Sequence, residues 1–336
     1  MGQRDSTVHD PARRSLHRML ARTAIVWAGA AAWTAHAQIA YPSQGMRIVV
    51  PYPAGGATDA LARMVAQKLQ ESWGVPVLVE NRPGAGGTIG NAMVVKAPPD
   101  GHTLLMGITA VIQQPALMPN LPYDPLKDLQ PVARVAISPS LFAVPPSAQV
   151  TSLREFVARV KSSPGKYNYG TYGAGTSSHI QGELLNQQAG LDMVHVPFAG
   201  AAPLVTNMVG GQLTSAFIDM GSARAHLKSL KVLAVTGTRR LPDLPDVPTF
   251  AELGFHSYDP YGWFGLFLPV GASAAVLAKL SGEINRILAL PDVTARIEGM
   301  GLWVGGGRPD EFAATLRSDA AVYARIIRDA NIRLNP

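Results

Sequence analysis

Short apolar runs alternate along this chain with longer stretches in which apolar residues recur every three or four positions. Met46-Arg47-Ile48-Val49-Val50 is a nearly continuous apolar run bounded by turn residues and predicts a buried strand. The turn Pro51-Tyr52-Pro53-Ala54-Gly55-Gly56 follows, and Leu61, Met64, Val65 and Leu69 then repeat at helical spacing. Residues 75–79 predict the next strand. A glycine-rich turn, a short helix and a strand over 103–106 complete a β-α-β-α-β unit.

Residues 112–133 carry Pro115, Pro119, Pro122, Pro125 and Pro131 and predict a long irregular connection. A second alternating series begins at 141–144. Its first helix opens on the capping box Ser152-Leu153-Arg154-Glu155, and strands follow at 167–169, 193–196, 215–218 and 232–235. Residues 263–268 predict a further buried strand, and 273–290, 293–300 and 309–330 predict helices. The pattern is that of an α/β protein with helices layered on largely parallel sheets. A chain of 336 residues exceeds one ordinary domain of ~150, so two lobes are expected. A C-terminal helical stretch returning to the first lobe would place chain crossings near residues 144 and 262.

The first residues form a separate problem. Arg13, Arg14, Arg18 and Arg22 precede an apolar run over 24–35 and the small-x-small site Ala35-His36-Ala37. That is the anatomy of a signal peptide over 1–37, and the run is shorter than the ~20 residues that span a bilayer. Export to the periplasm, with release as a soluble protein, is the expectation. The segment takes with it five of the 29 Lys+Arg and two of the 23 Asp+Glu, so the net charge falls from +6 to +3. So small and unclustered an excess gives no support for nucleic-acid or membrane-surface binding. With no cysteine there are no disulfides or thiolate metal sites, and the histidines do not fall at metal-ligand spacing.

Enzyme signatures fail one by one. The chain has no Gly-x-Gly-x-x-Gly, no phosphate-loop Gly-Lys-Ser/Thr, no His-Glu-x-x-His and no Gly-x-Ser-x-Gly. A triad of Ser177, His179 and Asp219 is conceivable in composition, but a serine and a histidine two positions apart do not easily meet head-on. No cofactor, metal or catalytic residue is expected.

Anion capture has positive signals. The turn through Ala54, Gly55 and Gly56 joins a strand to a helix start, where free N–H groups and the positive end of the helix dipole can hold a carboxylate without an arginine. Asp59 in the first helical turn is a candidate at the same site, or else only offsets the dipole. Tyr172-Gly173-Ala174-Gly175-Thr176-Ser177-Ser178-His179 repeats the arrangement in the second half, where an ordinary Ser N-cap is the plainer alternative. Two such turns in separate lobes suggest a ligand clamped between them. A third glycine-rich turn, Asn81 through Thr88, also opens a helix, with helix–sheet packing as its expected role.

At these residues the sequence resembles the Bug-type substrate-binding proteins of tripartite tricarboxylate transporters. The resemblance is carried by Pro51 through Arg63, Val79 through Gly87, Pro99-Asp100-Gly101-His102-Thr103-Leu104, Tyr169 through His179, His195-Val196-Pro197-Phe198-Ala199-Gly200, Leu233-Ala234-Val235-Thr236 and Pro248 through Gly254, in order over nearly all of 42–335. It implies a two-lobed periplasmic-binding-protein-like fold of type II, with 42–143 and 264–336 in lobe I, 144–263 in lobe II and a ligand cleft between them. It implies a small carboxylate as ligand and the permease subunits of such a transporter as partners. Carried onto this chain, Ala54, Gly55 and Gly56 would hold the carboxylate from lobe I. Thr176 and Ser177, with the backbone of Gly173, Ala174 and Gly175, would hold it from lobe II. Pro197 through Gly200 would line the cleft, Asp219 would be a polar pocket residue and Tyr52 a wall. Val111-Ile112-Gln113-Gln114-Pro115 and Ile218-Asp219-Met220 are more apolar than the family pattern, which extends the candidate ligands from dicarboxylates to aromatic or longer aliphatic acids. An exported hydrolase using Ser177, and a module presenting ligand to a receptor kinase, are the alternative readings.

Overall fold

β1 (Met46–Val50) is the apolar run read from the sequence, buried on both faces as the middle strand of a parallel set must be. α1 (Ala57–Trp73) turns Leu61, Met64, Val65 and Leu69 onto the sheet and buries them all. It stops at Gly74, whose left-handed backbone (φ 68°) returns its N–H to Gln70. β2 (Val77–Asn81), α2 (Thr88–Val95) and β3 (Thr103–Ile108) complete the unit, with Ile48 of β1 level with Val79 on one side and Leu104 on the other. The computed structural model describes residues 1–2 and 41–334, so the predicted signal segment lies outside the described residues except for its first two. The chain divides into Met1–Ser43 and Gln44–Pro336, and all elements named here belong to the second unit.

After β3 come α3 (Ala110–Leu117), the single turn α4 (Pro125–Asp128) and β4 (Leu129–Ser138). Beyond Pro139 follow β5 (Ser140–Val144), α5 (Leu153–Lys161), β6 (Asn168–Thr171), α6 (Ser177–Ala189) and β7 (Val194–Pro197). Then come α7 (Ala201–Val209), β8 (Ser215–Asp219), the short α8 (Met220–Ala223) and β9 (Lys231–Val235). The chain closes with β10 (Gly262–Pro269), α9 (Ala274–Leu288), α10 (Pro291–Gly299), β11 (Trp303–Gly306) and α11 (Pro309–Asp329).

Two sheets result, ordered β11-β4-β10-β3-β1-β2 and β7-β6-β8-β5-β9. They are mixed, where the alternating pattern predicts largely parallel sheets. β2-β1-β3 and β7-β6-β8 are parallel, since each is wound locally through helices, whereas β4, β10 and β11 and, in the second sheet, β5 and β9 pair antiparallel. Of these, β4, β5, β9 and β10 adjoin the passages between sheets, and the direction of such a passage is not encoded in local periodicity. The first passage falls at Pro139, between β4 and β5, and the second lies in the segment between β9 and β10.

The stretch 112–133 is not irregular. It contains most of α3, all of α4 and the first half of β4. Pro131 sits inside β4 without breaking it, because β10 pairs along the whole strand while β11 pairs only over Arg134–Ile137 and leaves the other side of Pro131 free. β11 is likewise a strand, in the connection between the helices expected over 293–300 and 309–330. α11 lies against α3 and β4, so the C-terminal helix does return to the first sheet. In the second sheet the core is aromatic. Phe142 is fully buried, with ring centroids 4.9 Å from Phe217 and 5.2 Å from Phe156, and Phe250 stacks on Tyr258 at 4.0 Å.

Candidate functional site

The loop after β1 is built by its neighbours. The buried Asp59 carboxylate accepts from Gly55 N (3.1 Å), Arg63 Nε (3.0 Å) and Asn81 Nδ2 (3.0 Å), and Asn81 also donates to Tyr52 O (3.0 Å). Burial alone would raise the Asp59 pKa, but the bonds to Arg63, Asn81 and Gly55 outweigh it and hold it below the ordinary value. Asp59 therefore locks the turn and consumes the Gly55 N–H. Ala57 N, two residues on, donates to Ser222 Oγ (3.2 Å) at the start of α8.

The turn before α2 is held from below. Tyr52 OH and Gln114 Nε2 both donate to Gly86 O (3.0 and 2.9 Å), Tyr123 OH donates to Gln114 Oε1 (3.1 Å) and Asn91 Nδ2 to Tyr123 OH (2.9 Å). This buried chain presses Gly86 (φ 64°) against the turn after β6. A Cβ on Gly86 would stand 2.4 Å from Ala174 O. Two glycine-rich turns, one from each sheet, thus meet with no room for a side chain.

Within the turn after β6, most polar groups are spent on the turn itself. Thr176 Oγ1 donates to Gly173 O (2.6 Å), Gly173 N to Thr171 Oγ1 (3.3 Å), Gly175 N to His179 Nδ1 (3.4 Å), and Tyr172 N to Ser178 Oγ (3.1 Å). Ser177 Oγ instead pairs with the Gln113 amide (2.9 Å), joining α6 to α3. The His179 ring stacks on His195 at 4.2 Å, and burial, then the neighbouring ring, lowers its pKa to about 3. Ser177 therefore meets an amide and His179 a second imidazole, and the triad does not assemble. Among the described residues no group of three or more His, Asp or Glu is placed to hold a metal.

Between these turns lies a cavity of about 40 Å³, lined by Tyr52, Pro53, Gly56, Thr58, Ile108, Thr109, Ser138, Ser140, Tyr172, Ser177, Ala201, Asp219, Gly262, Trp263 and Phe264. At ~10–15 Å³ per water it admits about three waters, which suits the head group of a short molecule. α1, α3, α6, α7 and α8 all start at its wall, through Gly56 and Thr58, Thr109, Ser177, Ala201 and Asp219. No lysine, arginine or histidine lines it. Donor N–H groups and dipole ends aimed at a small space are what an anion needs where fixed cations are absent. A groove of about 570 Å³ between α6 and α11 is larger, but it presents Asp259, Asp319 and Asp329 beside Arg325 and no helix start.

Of the residues singled out in the sequence, Tyr52, Gly56, Ser177 and Asp219 line this cavity. Ala54 and Gly55 are exposed at the turn, and Asp59 is buried behind it. Gly173, Ala174, Gly175 and Thr176 shape the facing turn without lining the cavity. Pro197 ends β7, and a Cβ on Gly200 would meet Pro53 at 2.8 Å, so that loop packs on the first turn and brings Ala201 to the wall. Gln113 and Gln114 bond to Ser177 and Gly86 and do not reach the cavity. Sequence reasoning missed Ile108, Thr109, Ser138, Ser140, Trp263 and Phe264. A signal existed, because the expected crossings flank residues 138–140 and 262–264, and strands that pass between two sheets must floor the space between them.

The description "tripartite tricarboxylate transporter family receptor" belongs to the family model that matches residues 61–332. Protein BugT of Bordetella pertussis is 31% identical over 298 residues, covering 88% of this chain and 91% of that protein. Among solved structures, the periplasmic binding protein BugD superposes with a TM-score of 0.83 at 29% identity, covering 87% of this chain and 99% of the other. An R. palustris protein, Rpa4515 with adipate, gives the same three figures of 0.83, 29% and 87%, with 99% of that chain covered. MatC from Rhodopseudomonas palustris with bound malate gives 0.82 at 31% identity, over 85% of this chain and 100% of that one.

Proposed function

Because this chain belongs to the tripartite tricarboxylate transporter receptor family, we propose that its 40 Å³ cavity is where it captures the carboxylate of a small acid for such a transporter. It is a substrate-binding protein, not an enzyme, and its fold is that of the periplasmic binding proteins it matches. The observation that carries the cavity assignment is the convergence of the starts of α1, α3, α6 and α7 on a space free of cationic side chains. The acids held by the two Rhodopseudomonas relatives support a carboxylate as the chemical class.

In this reading the two sheets are the cores of two lobes, and the boundaries move from the expected 143/144 and 263/264 to Pro139 and the segment before β10, because β5 lies in the second sheet and β10 begins at Gly262 in the first. Pro139 and the segment before β10 join them. The ligand is gripped by Gly56, Thr58 and Tyr52 from one side and Ser177, Ala201 and Asp219 from the other, while Gly55, Asp59, Gly173–Gly175 and Gly200 hold those groups in place. Closure is favoured by the contacts that only the closed form makes. The site of action is the periplasm, and the partners are the membrane subunits of the transporter. Among the described residues no helix is long and apolar enough to cross a membrane.

A thermal-shift screen of the purified protein against mono-, di- and tricarboxylates, amino acids and sugars tests the reading. A ligand at 100 times its dissociation constant should add ~2.7 kcal/mol of stability, roughly 4 °C for a chain of this size. Saturable shifts confined to carboxylates are expected. Shifts with sugars alone would overturn the assignment.

A further inference from the structure

The cavity wall contains a carboxylate of its own. Asp219 ends β8, and its Oδ1 accepts from Ser222 N (2.9 Å) at the start of α8. Its other stabilising neighbours are neutral as well, the Ser222 hydroxyl and the Gly221 N–H, so no cation offsets it. Burial raises its pKa despite those bonds. The nearest arginine along the chain, Arg224, is held by Asp243 at 2.8 Å. Capping alone does not explain the residue, since Asn, Ser or Thr would cap α8 without placing a charge in the wall.

Four of the fifteen wall residues are aromatic. Tyr52, Tyr172, Trp263 and Phe264 all line the same small space, with the Trp263 indole N–H turned to Asp319. Rings and an uncompensated carboxylate together attract a cation and repel an anion. The helix starts of α1, α6 and α7, in contrast, favour an anion. One cavity therefore offers both signs of complementarity.

We propose that the ligand is a small zwitterion, its carboxylate held at the starts of α1, α6 and α7 and its ammonium or methylated ammonium group set against Asp219 and the surrounding rings. This rests on the carboxylate reading above and narrows it: Asp219 selects amino acids or betaine-like acids over dicarboxylates.

The test is calorimetric titration of the purified protein at pH 8 with matched sets of acids. Each set shares a carbon chain and comprises the dicarboxylate, the α- and ω-amino acids, a trimethylammonium acid and the simple monocarboxylate. In the best-fitting set a zwitterion should bind ~tenfold or more tightly than either the dicarboxylate or the monocarboxylate, as a buried charge pair warrants. Asp219→Asn should reverse the order, weakening the zwitterion ~tenfold and strengthening the dicarboxylate. Asn caps helices as well as Asp, and a ligand-free melting temperature unchanged or raised verifies the variant's fold. Should Asp219→Asn unfold, the wild-type ranking alone decides. A dicarboxylate that binds wild type as tightly as the zwitterion overturns the proposal, as does an unchanged ranking in Asp219→Asn, and in both cases carboxylate capture stands. Binding by no acid of any kind removes the carboxylate reading and this inference with it.

Discussion

Gly86→Ala is the sharpest perturbation the structure offers. Gly86 is left-handed (φ 64°), so an alanine there costs about 1–2 kcal/mol in any state of the protein. The added Cβ would also lie 2.4 Å from Ala174 O and 3.2 Å from Gln114 Nε2. Carbon and oxygen rest no closer than ~3 Å, so the two turns must part by roughly half an ångström or more, an overpacking cost of about 1–3 kcal/mol. The clash with Ala174 O exists only while the turns touch. Gly211→Ala separates the two costs: Gly211 is also left-handed (φ 75°), and its Cβ would meet nothing within 4 Å. Ligand-free melting temperatures should fall in both variants by a similar few degrees. Titration with the acid giving the largest thermal shift should then show Gly211→Ala binding like wild type and Gly86→Ala weakened ~5- to 150-fold. Wild-type affinity in Gly86→Ala, or equal losses in both variants, would refute the idea that contact between the turns belongs to the liganded state.

Two further outcomes follow from the second sheet. Gly182 lies inside α6, where alanine would ordinarily stabilise by about 1 kcal/mol, but its Cβ would stand 2.0 Å from the Tyr169 ring. Gly182→Ala should therefore lower the melting temperature and displace Tyr169 from its hydrogen bond to Glu183; a rise would show that the ring moves freely. Burial lowers the pKa of His179 to about 3 and of His195 to about 4, so both are neutral in the fold at pH values where the unfolded chain is protonated. The unfolded state then binds more protons below pH ~6.5, and stability should drop as pH falls from there toward the folded values, by at most ~1.4 kcal/mol per pH unit for His179 and less for the more exposed His195. Urea midpoints between pH 7 and 4 measure this, and a midpoint unchanged in His179→Gln relative to wild type across that range would show that the stacked ring is not the source.

Nearly every interior strand was legible within two residues, because β1, β5, β8, β9 and β10 are apolar runs that need no partner to be recognised. β4 was not, since Pro131 and the prolines before it read as a loop until β11 is known to leave Pro131 unpaired. β11 itself is four half-buried residues, two of them glycine, and exists only by docking on β4. For the site, local sequence located the turns but not which donors stay free. Asp59 is the instructive case: the same spacing that marks a helix start let its carboxylate fold back on Gly55. Trp263 and Phe264 were visible as core and became cavity wall only through topology.

The single residue between β4 and β5 has a consequence for capture itself. With Pro139 as the whole of that passage, the two sheets cannot drift apart and search for each other again; they can only turn about a short axis. In the two-lobed reading, each half of the grip is therefore always present at high effective concentration for the other. Little loop entropy is lost when the halves meet, so even an acid making few contacts can hold them together.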